Sequence, residues 1–420
     1  MNNSNSPVHK PKMQLSQKVC SIPEALSVYI NNVVYEMKRR GEELCVLSLG
    51  EAFFDIPMFS FDDIDFKKGY HYSESRGLYE LRHILSKYYN NRYNASIDPD
   101  SDLIISAGSK PLIYMAFQAV LNAGDEVLIH EPAWLSYPEE IKLAEGVPVF
   151  IPFDCGVDSI EKYITNKTKM IVICNPNNPA GKVYSRNELE FLYKLCRPRG
   201  IYILVDEAYS DFLDNDLFCS MTSIVPDKDG IIVVNSLSKN MGISGWRIGY
   251  AISSDDVIYN MLKLNQHLIT CPSTLLLLYI SKHFDEMLDI TLPQAQEVVR
   301  KRETINQYCK SIGLIPLDGT STFYLFINIA DYKYSSLDLA LYLLTKYHIS
   351  VVPGLAYGNS TERFIRISVG TENIDDIKRS LDLIKQIIMN DEIDKNYIND
   401  TLTELKMNHF SSDCQHMDGN

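Results

Sequence analysis

The sequence predicts an α/β protein built on a mostly parallel sheet flanked by helices, accompanied by a smaller α+β unit. Three observations predict it. From Asp102 onward, short β-rich runs alternate with amphipathic stretches: LIIS then KPLIYMAFQAVL, EVLIH, VPVFIPF, KMIVICN then ELEFLYKLC, IYILVDE, GIIVVNSLS and RIGYAIS. That alternation is the mark of strand–helix–strand units. These strands are also apolar along their whole length, as strands covered on both faces must be. After about Ile269 the pattern changes to long helical segments followed by two separated strands, which sets off the second unit.

A chain of 420 residues exceeds what one hydrophobic core usually organises, so two lobes are expected. Residues 1–20 read as a flexible arm, since they lack the apolar core of a secretory signal and hold few basic residues. Residues 21–60 contain the helix-like IPEALSVYINNVVYEMKRRG and precede the parallel unit, so they are expected to pack with the smaller one. The large domain is expected over 61–280. The small domain is expected over 281–390, with a helical segment from Leu288 to Ile312, strands TFYLFINI and FIRISVG, and a helix from Asp375 to Met389. Residues 391–420 turn polar with few aromatics and read as a disordered tail.

Composition removes whole classes of function. A formal net charge of -14 leaves no basic stripe for nucleic acid. The longest greasy stretch, Leu275 to Ile280, falls far short of the roughly 20 apolar residues of a membrane helix. Nine cysteines, scattered and without a C-x-x-C pair, fit neither a disulfide framework nor a metal site, and they point to reduced thiols in the cytoplasm.

The chemistry concentrates in NSLSKNMGISGWRIGY, residues 235–250. It follows the apolar run IIVV and so lies at the carboxyl end of a strand, where open α/β sheets bind ligands. Gly242, Gly245 and Gly249 allow tight turns and close backbone approach. Ser236 and Ser238 bring hydroxyls and Arg247 a planar fork, a set able to hold a phosphate monoester. Lys239 beside a bound arginine can have its amine pKa lowered, as imine formation requires. A surface loop with an ordinary lysine is the blander alternative.

This string resembles the cofactor-attachment signature of the fold-type I, class I and II aminotransferases, S-x-S-K-x-x-G-x-x-G-x-R-x-G. The resemblance spans about residues 25–390, with further motifs in order. It implies a fold-type I transferase that uses pyridoxal 5'-phosphate. Lys239 is then the Schiff-base lysine and proton shuttle, and Ser236, Ser238 and Arg247 bind the cofactor phosphate.

The other motifs extend the assignment. VDEAYSDF sets Asp206 at the end of IYILV, where the resemblance implies an ion pair with the pyridine nitrogen that keeps the ring an electron sink; a helix cap is the alternative. Tyr209 and the Asn178 of NPNNPAGKVYS are implied partners of the phenolic oxygen, the prolines fixing the turn. Ala180 stands where the family has a hydroxyl residue. SAGSKP places Gly108, Ser109 and Lys110 at a helix start, a ready anion site. In EPAWLSYP, Trp134 takes the position of the ring stacked on the pyridine, though tryptophan is more often plain core. YSESRGLYELR puts Tyr72 where the family reaches the phosphate of a neighbouring subunit, which implies a homodimer; Tyr70 is the nearest competitor. In RFIRISVG, Arg366 is the implied grip on the substrate α-carboxylate, with Arg363 as the alternative.

The implied activity is transfer of an amino group from an L-amino acid to a 2-oxo acid by a ping-pong cycle. GSK together with PAWLSYPE is similar to the bacterial aspartate/prephenate branch, where a lysine matching Lys110 meets the distal carboxylate of acidic donors; a solvated helix-start lysine is the alternative. GEAFFDIP retains Gly50 at the substrate but departs from the usual G-E-P-D-F, and TSTFY departs from G-[AT]-F-Y, which leaves room for a specialised substrate. The same lysine also serves lyases, decarboxylases and cyclopropane-forming synthases. A cofactor-binding regulator would need a DNA-binding domain, for which about 25 preceding residues are too few. A dinucleotide protein would need another glycine spacing.

Overall fold

The computed structural model describes residues 13, 15–213, 217–329, 332–390 and 392–407. After the helix Leu26–Arg39 and the short strand β1 (Cys45–Val46), the chain enters the alternating region read from the sequence. It forms β2 (Leu103–Ser106), β3 (Glu126–His130), β4 (Val147–Ile151), β5 (Thr168–Cys174), β6 (Tyr202–Asp206), β7 (Ile231–Ser236) and β8 (Gly249–Ser253). These seven lie in the order β2-β8-β7-β6-β5-β3-β4. Only β8 runs antiparallel to its neighbours. The carboxyl ends of the other six therefore share one edge of the sheet, and Gly249, pairing with both Ser106 and Ser236, enters at that same edge.

The sheet is apolar on both faces because both are covered. Leu128, Ile171, Ile203 and Val233 point into one core, while Val127, Val172, Leu204 and Ile232 point into the other, as the period of two demands. Helix Ser109–Val120 covers the second face, and its Leu112, Met115 and Ala116 are buried there.

The second lobe carries β9 (Ile315–Pro316), β10 (Tyr324–Asn328), β11 (Ile349–Ser350), β12 (Val352–Pro353) and β13 (Phe364–Ser368). Four of them form an antiparallel sheet, β12-β13-β10-β9, and β11 pairs with β1. Ile30, Val33 and Met37 of the first long helix share one core with Leu339, Leu343, Ile365 and Ile377 of this lobe. The helical segment read from Leu288 begins at Thr274 and runs to Ser311; its backbone departs from helical geometry at His283, and it accommodates a proline, Pro293.

The two chain ends differ from expectation. Of the arm, residues 1–12 and 14 lie outside the described residues; Gln17–Cys20 is an exposed turn of helix, with the Lys18 ammonium bonded to Glu145 at 2.8 Å. The tail read as disordered is, over residues 392–407, a docked helix, Lys395–Glu404. Asp394 caps it by accepting from the amides of Asn396 and Tyr397. Ile398, Leu402 and Leu405, spaced four and three apart, face the small-lobe core, and Tyr29 donates its hydroxyl to the Met407 carbonyl at 2.8 Å. Average polarity concealed a one-sided apolar stripe. Residues 391 and 408–420 lie outside the described residues.

Leu402 is buried, so Leu402→Ala is expected to cost about 2–5 kcal/mol of stability, the usual range for a truncated core leucine. Urea unfolding monitored on the small lobe reads this directly; an unchanged midpoint would contradict a docked tail.

Candidate active site

The shared edge of the large sheet faces the small lobe across a cavity of about 320 Å³. Its walls bring together Gly50, Ser109, Lys110, Trp134, Asn178, Asp206, Tyr209, Ser236, Ser238, Lys239, Arg247 and Arg366, residues drawn from segments more than 300 positions apart. Gly108 adjoins it. Tyr72 and Tyr70 do not reach it within one chain; both are exposed, Tyr72 by 85% and Tyr70 by 77%.

The floor is made by the ends of β5 and β6. Asp206 is buried; its Oδ2 accepts from the Tyr137 hydroxyl at 2.8 Å and its Oδ1 from the Ala208 amide at 3.1 Å. Burial pushes this carboxyl above the usual range, against the pull of those two donors and the charge of Lys239. A carboxylate in so dry a floor is best stabilised by a cation set against it. The turn after β5 holds Asn178 rigidly: Asn177 accepts from the Ala180 amide at 3.0 Å and donates to the Pro132 carbonyl at 2.9 Å. Ala180 is buried, and its carbonyl takes a bond from Arg302, so the turn stands without the family's hydroxyl.

Lys239 lies in the short helix Leu237–Asn240 that follows β7, capped by Ser236, whose hydroxyl accepts from the Ser238 amide. Its Nζ donates to the Gly50 carbonyl at 2.6 Å and stands 5.9 Å from the centre of the Tyr209 ring. Burial lowers the amine from 10.5 to about 8; Glu51 opposes the shift, and Arg366 and Arg247 add to it. Such an amine keeps its proton at neutral pH but sheds it far more readily than an ordinary lysine, and its free-base form can act as a nucleophile or a base.

One end of the cleft is shaped for an anion. Gly108 caps helix Ser109–Val120 at φ 98°, and a Cβ there would stand 2.4 Å from the Arg247 guanidinium. A Cβ on Gly249 would meet the backbone of Gly108 and Ser109 at 2.4 Å. Glycine is thus required for the arginine to close on the helix start, whose first turn carries no acidic residue. Trp134 forms a side wall, edge-on to Tyr137 at 5.3 Å, and the exposed Lys110 holds its ammonium 5.0 Å from the tryptophan ring.

On the small-lobe side, Arg366 of β13 is buried. It donates to Asn178 Oδ1 at 3.3 Å and to the Ser48 carbonyl at 2.7 Å, while its Nε has no partner among the described residues. Its guanidinium lies 4.3 Å from the Tyr324 ring, and Tyr324 shares a hydroxyl–hydroxyl bond of 3.0 Å with Tyr209. Arg363 points elsewhere, to the carbonyls of Tyr332 and Tyr334. Sequence reasoning missed Tyr137 and Tyr324, both inside motifs it had quoted, and Asn31, Ser48, Glu51 and Ser244, which also line the cavity. For Tyr137 the signal was its place three residues after Trp134.

Each part suits pyridoxal phosphate: a glycine-built anion cradle, a buried carboxylate at the far end, a flat aromatic wall, and an amine of lowered pKa between them. Comparison with known proteins agrees. Residues 60–382 match the family model described as Aminotransferase class I and II. An aspartate aminotransferase of Bacillus sp. (strain YM-2) is 32% identical over 90% of this chain and 98% of its own. A (5-formylfuran-3-yl)methyl phosphate transaminase of Methanocaldococcus jannaschii is 30% identical over 89% of this chain and 99% of its own. Among solved structures, the aspartate aminotransferase of Thermus thermophilus with maleate superimposes with a TM-score of 0.80 at 26% identity, covering 90% of this chain and all of that one.

The lowered amine makes a test free of any substrate. In the cofactor-free protein, the rate at which Lys239 reacts with an amine-directed acylating reagent is expected to rise through about pH 8, where the amine loses its proton. Peptide mapping across a pH series measures it, and a midpoint near the ordinary lysine value would contradict the assignment.

Proposed function

This chain belongs to the class I and II aminotransferases, which depend on pyridoxal phosphate, and from that premise we propose that it takes the amino group of an acidic L-amino acid, aspartate or glutamate, and passes it to a 2-oxo acid. The observation that carries the acidic preference is the pair of cations, Arg366 and Lys110, lining the same cleft as Lys239. A dicarboxylic substrate presents two anionic ends, and the cleft has a cation for each. That two of the similar proteins are aspartate aminotransferases supports the same choice.

The residues divide the work as follows. Ser109, Ser236, Ser238 and Arg247, with the backbone at Gly108, would hold the phosphate. Asp206 would pair with the ring nitrogen, Trp134 would cover the ring face, and Tyr209 and Asn178 would bond its phenolic oxygen. When bound, the cofactor supplies a reactive carbonyl and an electron-withdrawing ring. Arg366 holds the α-carboxylate, so the Cα proton faces Lys239. Lys239, whose amine titrates at about 8, takes that proton and would return it to the carbon on the far side of the amino nitrogen. Lys110 grips the distal carboxylate of the donor. After the first product leaves, a 2-oxo acid enters and the same groups act in reverse order.

Three further assignments belong to this reading. Tyr72, exposed here, reaches the phosphate of a second copy, making the enzyme a homodimer. Residues 61–280 and 281–390 are its large and small domains, with 21–60 joined to the latter, as the shared core of helix Leu26–Arg39 supports. The enzyme works in the cytoplasm; the eight cysteines among the described residues are free thiols, and no helix among those residues is long and apolar enough to cross a membrane.

Lys110→Ala is expected to raise KM for aspartate and glutamate by about tenfold, the worth of one charge-assisted bond, while leaving neutral donors within about twofold. Steady-state kinetics over a panel of donors measures this, and an equal loss for acidic and neutral donors would overturn it. The same panel separates amino transfer from elimination: a lyase would release ammonia with no oxo acid present.

A further inference from the structure

Glu131 follows β3 at the sheet edge that bears the active site, yet its side chain serves the other lobe. It is 3% exposed. Oε1 accepts from the Asn359 amide at 2.5 Å, and Oε2 accepts from the Ser360 amide at 3.0 Å and from the Ser360 hydroxyl. Ser360 Oγ in turn accepts from the Phe153 amide of the large lobe at 3.2 Å. A second stitch lies beside this clasp, the Ala133 amide donating to the Tyr357 carbonyl at 2.9 Å.

The loop so held, between β12 and β13, is built for the contact. Gly358 has φ 143°, and a Cβ on it would stand 2.4 Å from the Glu131 carboxylate. The Thr361 hydroxyl bonds the carbonyls of Gly354 and Gly358, both at 2.9 Å, closing the loop on itself. The loop also carries Tyr357, buried, whose ring lies 5.4 Å from the Arg366 guanidinium. A chain of direct contacts therefore runs from the end of β3 through the clasped loop to the arginine.

We propose that Glu131 is a positioning residue for substrate binding: its carboxylate fastens the small-lobe loop to the large lobe and so fixes Tyr357 as the wall against which Arg366 stands. This rests on the reading of Arg366 as the grip on the substrate α-carboxylate. A carboxylate accepting three donors is strong and directional, and a guanidinium freed to shift by an ångström loses the fork geometry that a bidentate grip needs. Glu131 touches neither substrate nor cofactor, so its loss acts on substrate affinity and leaves cofactor attachment alone.

The test uses the holoenzyme and four substitutions. Glu131→Gln keeps the side chain's size but leaves one acceptor oxygen where two served. It is expected to raise KM for both the amino acid and the 2-oxo acid by about tenfold, with kcat within about threefold and the cofactor's visible absorbance unchanged. Ser360→Ala, which removes one donor, shifts KM the same way by less and serves should the first variant fail to fold. In a Tyr357→Ala background, Glu131→Gln adds nothing further, because the clasp works through that ring. An unchanged KM in both clasp variants, a fall in kcat at constant KM, loss of the cofactor band, or full additivity with Tyr357→Ala would each overturn the proposal. Arg366→Lys separates the two layers: if it raises KM and the clasp variants do not, only the clasp is wrong; if it leaves KM unmoved, the arginine reading falls and the clasp with it.

Discussion

A lysine and an aspartate held in one dry cleft set the terms for everything around them. Lys239 and Asp206 come from the ends of neighbouring strands, yet no direct bond joins them: the ammonium turns to the Gly50 carbonyl and the carboxylate to Tyr137 and Ala208. Burial works against the charge of each, lowering the amine and raising the carboxyl. Kept apart, the two can address opposite ends of a flat cofactor. The parallel sheet is what makes this separation possible, since it delivers strand ends side by side at the spacing of the ladder.

The small lobe completes the site and does not merely cover it. Gly50 and Ser48 supply carbonyls to Lys239 and Arg366 from the segment after β1, and Tyr324 ties Tyr209 of the large lobe to the strand beside Arg366. The core that joins helix Leu26–Arg39 to the small lobe therefore bears on the cleft, because it helps set where the lysine's carbonyl partner stands. Asp206, Ser236, Lys239 and Arg247 come from the large lobe and Arg366 from the small one, and the two cations Lys110 and Arg366 lie on opposite sides of the seam.

Much of this was legible in the sequence because the site is made of strand ends. A residue at the end of an apolar run is placed by the sheet's topology, so Asp206, Asn178, Ser236 and Lys239 could be located from pattern and motif alone. Arg366 was separable from Arg363 by motif, and the two side chains take different partners: Arg363 stays with the Tyr332 and Tyr334 carbonyls, whereas Arg366 reaches the Ser48 carbonyl and Asn178. Tyr137 and Tyr324 were hidden because each bonds, through its hydroxyl, a residue distant in sequence, Asp206 within the large lobe and Tyr209 across the seam, and no periodicity announces the far partner. The docked tail was hidden by composition, since three apolar residues placed on one face, Ile398, Leu402 and Leu405, outweigh many polar ones on the other.

One lysine of this chain is proposed to carry the cofactor, in a cleft already built for it. The decisive measurement is to treat the purified holoenzyme with borohydride, digest it and weigh the peptides. The reduced cofactor is expected on the peptide containing Lys239 and nowhere else, and Lys239→Ala protein is expected to yield no labelled peptide. Label on another lysine, or an unlabelled protein after exposure to pyridoxal phosphate, would contradict it.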